Sequence, residues 1–204
     1  MTADTRVPRN GQFVVRAPGY TMNVDQYSAV GQHLIDADGH RRVGRVTFGG
    51  NFTTGFAGLA CEGQWSFHFG LPCEGYWTGQ NNVTARSLGL SGAPNARLLY
   101  TFHEDRIVIR VVPPTDATKE FTMWLGNFDV LGPPVHNGKQ ERPWEPIVGD
   151  RFFFPHPLYR QGVLLTTPPK TALQLRGDTA VSFPIRLGQE VTLGFAEAGE
   201  AKIK

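Results

Sequence analysis

The fold class of this chain is decided by one stretch, Arg97-Leu98-Leu99-Tyr100-Thr101-Phe102-His103-Glu104-Asp105-Arg106-Ile107-Val108-Ile109-Arg110-Val111-Val112. Two runs rich in β-branched and aromatic residues, Arg97–His103 and Arg106–Val112, flank the pair Glu104-Asp105. Such runs favour strands, and a short polar pair between them favours a hairpin turn. The stretch therefore predicts two neighbouring antiparallel strands with their turn at Glu104-Asp105.

The same pattern of short apolar runs bounded by turn residues extends outward along most of the chain. The further predicted strands are Gln12–Arg16, Arg42–Phe48, Gly63–Phe69, Gly75–Gln80, Phe121–Gly126, Arg151–Phe154, Gly162–Thr166, Ala172–Arg176, Ala180–Arg186 and Glu190–Ala196. Sustained apolar recurrence at helical spacing is missing from the sequence. We therefore predict an all-β fold, an antiparallel β-sandwich of about twelve short strands with little or no helix. Without a composition break, residues 1–204 are predicted to form one domain.

Turn chemistry supports several of these strand ends. Asp38-Gly39 and Gly177-Asp178 favour hairpins, and the segment from Arg186 to Gln189 closes another. The segment Leu131–Gly149 is rich in proline and glycine and has no periodicity, which predicts a long surface loop.

Composition excludes several classes of partner. The 204 residues carry a formal net charge of +2, and basic residues are dispersed, so no nucleic-acid partner is expected. Membrane helices need about 18 consecutive apolar residues, and the sequence has no such run, so no membrane partner is expected. A signal peptide is not visible, which predicts a cytoplasmic protein if the chain is complete. Cys61 and Cys73 do not make a disulfide framework and are expected to be reduced.

The common cofactor and metal motifs are missing from the sequence. It lacks the P-loop, the Gly-x-Gly-x-x-Gly fingerprint, Gly-x-Ser-x-Gly, His-Glu-x-x-His and Cys-x-x-Cys. His33 and His40, with Asp36 and Asp38 between them, do not have a recognised metal-ligand spacing, and an Asp-Gly turn accounts for the aspartates. No cofactor and no metal are predicted, and whether the chain is an enzyme stays open.

One predicted hairpin carries the candidate catalytic residues. If Gly70-Leu71-Pro72 connects the strands between Gly63 and Gln80, Trp65 lies opposite Trp77 on an apolar face. That face is best explained as core, and an exposed platform for a sugar ring is the alternative.

The other face of this hairpin is polar. It places Ser66 opposite Tyr76 and His68 opposite Glu74. A carboxylate beside an imidazole can orient the ring and favour its protonation, so His68 is the candidate base and Glu74 its partner or a general acid. A solvated ion pair, and a metal site completed by a third histidine, are the alternatives for these two residues. Ser66 and Tyr76 are candidate ligand-binding residues.

A second candidate wall lies further along the chain. The residues from Arg151 to Arg160 combine aromatic side chains with arginine and histidine, and Trp144 lies just upstream. Arginine and histidine beside aromatic rings suit a hydroxyl-rich or carboxylate-bearing ligand. The candidate ligand-binding residues are Trp144, Arg151, His156 and Tyr159. The alternative is a buried strand that leads into a proline-rich corner.

The runs Tyr100–Val111 and Phe121–Asn127 resemble the paired central strands of galactose-mutarotase-like supersandwich domains. Such domains occur in sugar epimerases and as accessory sandwiches in polysaccharide lyases and glycosidases. The resemblance implies a sandwich fold and an association with carbohydrate, and it assigns no residue a role.

Two functions of different classes follow from these observations. The first is a carbohydrate-engaging β-sandwich, either a glycan-binding protein or an accessory domain of a carbohydrate-active enzyme, with a saccharide as its ligand. The second is a structural or assembly domain that acts through protein–protein contacts, including a homo-oligomer, with Leu131–Gly149 as a candidate interface.

Overall fold

The computed structural model describes residues 4–9, 12–25, 31–43, 46–48, 52–54, 57–62, 64–66, 73–79, 82–87, 96–113, 115–136, 139–140 and 145–198. Within these ranges the chain forms strands and turns and no helix, which confirms the all-β class. The strands are β1 Asp4–Arg9, β2 Gln12–Ala17, β3 Tyr20–Asp25, β4 Gly31–Asp36, β5 Arg41–Val43, β6 Val46–Phe48, β7 Phe52–Thr54, β8 Ala57–Cys61, β9 Gln64–Ser66, β10 Cys73–Gly79, β11 Asn82–Ser87, β12 Arg97–Phe102, β13 Arg106–Val112, β14 Glu120–Leu125, β15 Val135–His136, β16 Lys139–Gln140, β17 Ile147–Phe154, β18 Gln161–Arg176, β19 Ala180–Arg186 and β20 Glu190–Glu197.

One long strand, β18, joins the two layers of an antiparallel sandwich. The first layer has the order β10-β11-β12-β13-β20-β18, and the second continues as β18-β19-β14-β8-β9. Gln161–Thr166 pair with β20, whereas Gln174–Arg176 pair with β19. Between these halves the pairing of β18 with β17 shifts register between Thr166 and Thr171, where Pro168 and Pro169 have no N–H to donate to a ladder.

Alternating side chains of both layers form a shared hydrophobic core. In β13 the residues Ile107, Ile109 and Val111 are buried, and their neighbours are half-buried or exposed. In β14 the buried positions alternate in the same way, beginning at Phe121. Both sets belong to the same cluster of buried residues. Burial of each such side chain contributes roughly 1.5–3 kcal/mol, which holds the two layers together.

A five-stranded sheet, β1-β2-β3-β4-β5, packs onto this sandwich. Its residues Val15, Met22 and Leu34 are buried in the same hydrophobic cluster. Tyr20 at the start of β3 donates its hydroxyl hydrogen to the carbonyl oxygen of His103, at 2.9 Å, next to the β12–β13 turn. The N-terminal sheet is therefore bonded to the hairpin that decided the fold class.

Local signals predicted many elements correctly. β13 and β19 have the bounds Arg106–Val112 and Ala180–Arg186 that the apolar runs predict. Three predicted turns contain a glycine with positive φ, where a Cβ would be strained: Gly39 at 88°, Gly177 at 65° and Gly188 at 79°. Cys61 is a buried free thiol, as predicted.

The predicted pairing of Gly63–Gln80 is wrong. Trp65 in β9 has Ala60 of β8 as its Cα partner. Trp77 in β10 has Val83 of β11 as its partner, and β9 and β10 lie at opposite ends of the strand order. The proposed connection Gly70-Leu71-Pro72 lies outside the described residues. Alternation along a strand specifies which side chains share a face, but it leaves the choice of partner strand open.

The segment Leu131–Gly149 is only partly a surface loop. It contains the short strands β15 and β16 and the start of β17, and Leu131 is buried. Gly132 donates its N–H to the carbonyl oxygen of Pro155 at 2.9 Å. A Cβ at Gly132 would lie 2.1 Å from that oxygen, so glycine permits the close backbone approach that binds this segment to the sandwich.

Candidate functional site

The candidate residues of the polar face lie on two separate strands. Ser66 ends β9 and has Leu59 of β8 as its partner. Glu74 and Tyr76 lie in β10, with Arg86 and Thr84 of β11 as partners. Because β9 pairs with β8 and β10 pairs with β11, Ser66 and Tyr76 are not the cross-strand partners that the predicted hairpin implied. His68 and Trp144 lie outside the described residues.

The second predicted wall is divided in a similar way. Arg151 lies in β17 with Thr166 of β18 as its Cα partner, and it is half-buried. His156 and Tyr159 follow β17 and join a polar cluster that includes residues of the N-terminal sheet. We call it the Arg42 cluster, and its members are Asp36, His40, Arg42, Asp129, His156 and Tyr159.

Arg42 is the central member of this cluster. Its side chain is fully buried, and its Nη1 lies 3.1 Å from Oδ2 of Asp36, which is also fully buried. The same Nη1 donates to the carbonyl oxygen of Gln161 at 2.9 Å. The distance from its Nε to Oδ1 of Asp129 is 3.7 Å, longer than a hydrogen bond. Arg42 therefore connects the N-terminal sheet to the start of β18.

Asp36 also organises the turn that follows β4. Its Oδ1 accepts the N–H of Asp38 at 3.0 Å and the N–H of His40 at 2.9 Å. A carboxylate that accepts nearby backbone N–H groups stabilises a turn of this kind. The turn interpretation of these aspartates is therefore correct for Asp36, but the carboxylate has a second role toward Arg42.

Tyr159 is covered on both faces by histidine rings. The centroid of His40 lies 3.8 Å from that of Tyr159, with 12° between the planes. The centroid of His156 lies 4.1 Å away, with 10° between the planes. Two such rings on one face would overlap each other, so they lie on opposite faces. In this arrangement Tyr159 has no open face on which a sugar ring could stack.

Both nitrogens of His156 are bonded within the protein. Its Nδ1 accepts the N–H groups of Leu158 and Tyr159, each at 3.0 Å. Its Nε2 lies 3.1 Å from Oδ2 of Asp129, so the hydrogen-bond network assigns the proton to Nε2. Burial of the side chain lowers the pKa of His156, and the Arg42 charge adds to this, while Asp129 acts in the opposite direction. His156 is therefore neutral at neutral pH, and its Nδ1 has no lone pair free for a ligand.

An open cleft lies at the corner where β18 passes between the layers. We call it the corner cleft; it has a volume of about 220 Å³ and is lined by Glu120, Pro168, Pro169, Lys170, Thr171, Pro184, Arg186 and Gln189. Glu120 of β14 and Arg186 of β19 are Cα partners. Arg186 donates from Nε to Oε1 of Glu120 at 3.1 Å, and its Nη2 lies 2.8 Å from the same oxygen in an ion pair. Sequence reasoning missed this site, because its residues come from three strands and the β19–β20 turn and belong to no motif.

Several polar groups of the corner cleft have no partner among the described residues. Gln189 uses its Oε1 to accept the N–H of Arg186 at 2.8 Å, which leaves its amide NH₂ as a donor. Arg186 still has Nη1, and the ammonium of Lys170 has no hydrogen bond or ion pair within the described part of the chain. Glu120 keeps Oε2 as an acceptor. The cleft therefore combines free donors, one free acceptor and an apolar wall of three prolines.

The described residues hold no group of three His, Cys, Asp or Glu side chains that could bind one metal ion. They also contain no helix that is long and apolar enough to cross a membrane.

No protein-family model matches the chain, and no curated protein is similar to it in sequence. Solved structures do share its fold. The crystal structure of the heparan sulfate lyase HepC from Pedobacter heparinus matches 95% of this chain and 36% of its own, at 10% identity and a TM-score of 0.59. A putative aldose 1-epimerase from Escherichia coli K12 matches 91% of this chain and 99% of its own, at 8% identity and a TM-score of 0.52.

A third structure of the same fold is not named for carbohydrate chemistry. The periplasmic domain of Thermotoga maritima YidC matches 97% of this chain and 87% of its own, at 12% identity and a TM-score of 0.50. By contrast, this chain spans little more than a third of the heparan sulfate lyase. These similarities confirm the predicted resemblance to galactose-mutarotase-like sandwiches at the level of the fold. Because one fold hosts many functions, the function must be argued from the site.

Proposed function

We propose that this chain is a carbohydrate-binding β-sandwich domain and that its saccharide binds in the corner cleft. The observation that carries the proposal is the set of unused groups there: donors on Lys170, Arg186 and Gln189, and an acceptor on Glu120. A sugar hydroxyl can donate one hydrogen bond and accept another, so it suits a surface that offers both acceptors and donors.

The size of the corner cleft supports a short ligand segment. Its volume of about 220 Å³ is below the range of roughly 300–1,000 Å³ that is typical of pockets for drug-sized ligands. One sugar unit of a longer chain suits this volume, with its neighbours in solvent. Pro168, Pro169 and Pro184 offer apolar contact for the C–H groups of that unit.

The comparisons favour carbohydrate over other ligands. Two proteins of the same fold are named for carbohydrate chemistry, a heparan sulfate lyase and a putative aldose 1-epimerase. The proposal concerns binding and assigns no reaction to this chain.

The polar face predicted from sequence stays a second candidate position for the same ligand. Ser66, His68, Glu74 and Tyr76 would form it, with His68 as base and Glu74 as its partner if the chain is catalytic. The wall of Trp144, Arg151, His156 and Tyr159 has less support, because His156 and both faces of Tyr159 are covered by protein.

A thermal-shift screen with a panel of neutral and acidic oligosaccharides tests the proposed function. The saccharide that raises the melting temperature most is then titrated into Gln189→Ala and Glu74→Ala by calorimetry. We expect weaker binding in Gln189→Ala and unchanged binding in Glu74→Ala. The reverse pattern would move the ligand to the polar face, and a panel without any stabilising saccharide would refute carbohydrate binding.

The second candidate function is a structural or assembly domain. Two observations favour it: the similarity to nearly the whole periplasmic domain of YidC, whose name includes no carbohydrate, and the side chain of Leu158, which is 81% exposed. Light scattering separates the two functions, because an assembly domain predicts a stable oligomer without saccharide, which Leu158→Ser would weaken.

A further inference from the structure

We infer that the corner cleft recognises a negatively charged group, the carboxylate or sulfate of an acidic saccharide, and that Lys170 is the cation that selects it. The inference rests on the proposed function and deepens it, because it names the class of saccharide.

The charges of the cleft leave Lys170 without a counterion. Its charged lining residues are Glu120, Lys170 and Arg186, and Glu120 and Arg186 neutralise each other in a hydrogen-bonded ion pair. Neither residue forms an ion pair with Lys170 in the described part of the chain. The lining therefore carries one net positive charge, which favours an anion over a neutral group or a metal cation.

Several other surface cations of the described chain form ion pairs, whereas Lys170 forms none within that part of the chain. Lys119 binds Glu62, and Arg110 binds Glu190, its Cα partner across β13 and β20. Arg160 lies 2.9 Å from Glu197. The unpaired ammonium of Lys170 lines the same cleft as the free N–H groups of Arg186 and Gln189, so the cleft offers three donor groups to a ligand.

The backbone holds Lys170 in an unusual conformation. Its φ is 59°, in the left-handed region that a residue with a Cβ seldom adopts. Pro168 and Pro169 precede it and have restricted φ, and Thr171 donates its hydroxyl hydrogen to the carbonyl oxygen of Pro168 at 2.6 Å. Because the corner is already ordered, a ligand would meet a pre-formed site and lose less entropy on binding.

Calorimetry with three matched oligosaccharides tests the inference. The probes are a galacturonic acid tetramer, a sulfated galactose tetramer and an unmodified galactose tetramer. We expect the protein to bind one or both acidic probes at least about tenfold more tightly than the neutral one, since a bond to a charged group is worth more than a neutral bond. The two acidic probes distinguish a carboxylate ligand from a sulfate ligand.

Variants of Lys170 assign the preference to this side chain. Lys170→Gln should lose most of the preference for the acidic probe and bind the neutral probe within about twofold of the parent. Lys170→Arg should keep the preference. Arg106→Ala, which removes one exposed positive charge elsewhere on the surface, is the matched control and should behave as the parent. Raising the salt concentration should weaken the binding of the acidic probe and leave the binding of the neutral probe unchanged.

The outcomes separate the two proposals. Equal affinity for acidic and neutral probes, or an unchanged preference in Lys170→Gln, overturns the inference and leaves carbohydrate binding standing. Failure of all three probes and of the wider panel refutes the proposed function. An NMR titration of the backbone amides with sodium sulfate and sodium acetate then tests the anion site by itself. Chemical-shift changes at Lys170 and Gln189 would support an anion site in the cleft, and their absence would overturn the inference.

Discussion

Arg42 and Asp36 form an ion pair in which both side chains are fully buried, with Nη1 and Oδ2 3.1 Å apart. The pair lies within the N-terminal sheet, and Arg42 reaches from it to the carbonyl oxygen of Gln161 in β18. The backbone of the same residue accepts the N–H of Asp129 at 3.0 Å. This residue therefore carries much of the polar contact between the N-terminal sheet and the sandwich.

Removing one partner of this pair should destabilise the protein strongly. Arg42→Met leaves the buried Asp36 carboxylate without its counterion, which costs about 3–5 kcal/mol in free energy of unfolding. Asp36→Asn together with Arg42→Met should cost less than the two single changes added, because neither charge then remains unpaired. Urea unfolding of the four proteins measures the coupling. A loss below about 1 kcal/mol in Arg42→Met would mean that the pair contributes little.

Acid should weaken the protein through His156. Burial lowers the pKa of His156 below its ordinary value of 6.5, so the unfolded chain takes up a proton at higher pH than the folded one. The stability that this group contributes is complete above pH 6.5 and is lost as pH falls through the lower folded pKa. His156→Asn should flatten this part of the profile, because asparagine accepts a hydrogen bond without titrating. Unfolding free energies between pH 7.5 and pH 5 (roughly spanning the transition) test it, and parallel profiles would contradict it.

Lys170→Gly should leave the protein as stable as before or more stable. The left-handed conformation at φ 59° costs a residue with a Cβ roughly 1–2 kcal/mol, and glycine avoids that cost while losing more chain entropy on folding. The net gain should lie between zero and about 1 kcal/mol. Lys170→Ala is the control, since it removes the ammonium and keeps the Cβ. If the Lys170→Gly protein is clearly less stable than the Lys170→Ala protein, the backbone is not strained at this position.

Tyr20→Phe should loosen the contact between β3 and the β12–β13 turn. The hydroxyl lies 2.9 Å from the carbonyl oxygen of His103 and 3.2 Å from that of Arg106, so its loss should cost about 1–2 kcal/mol. Burial, with a smaller effect of Asp105, raises the pKa of Tyr20 above its ordinary value of 10.0. In an ultraviolet titration Tyr20 should therefore ionise late, and Tyr20→Phe should lose one tyrosine's share of the late absorbance change. A parent protein whose tyrosines all ionise near pH 10 would contradict the buried position.

The candidate site could be predicted only in part. The aromatic surroundings of His156 and Tyr159 in the sequence predict a shared site, and the two side chains do meet in one cluster. Their partners Arg42 and Asp129 could not be found in this way, because they are distant in sequence and no motif links them. The corner cleft was missed for the same reason, since Glu120 and Arg186 meet only when β14 pairs with β19.

Local sequence by itself determined where strands and tight turns form. Arg106–Val112 and Ala180–Arg186 become strands, and Gly39, Gly177 and Gly188 allow the turns, because side-chain alternation and backbone sterics act within a few residues. Only the tertiary structure decided which strands pair: Trp65 faces Ala60 rather than Trp77, and β18 serves both layers. Partner choice depends on the burial that the whole chain gains, and that gain is not encoded in any single stretch.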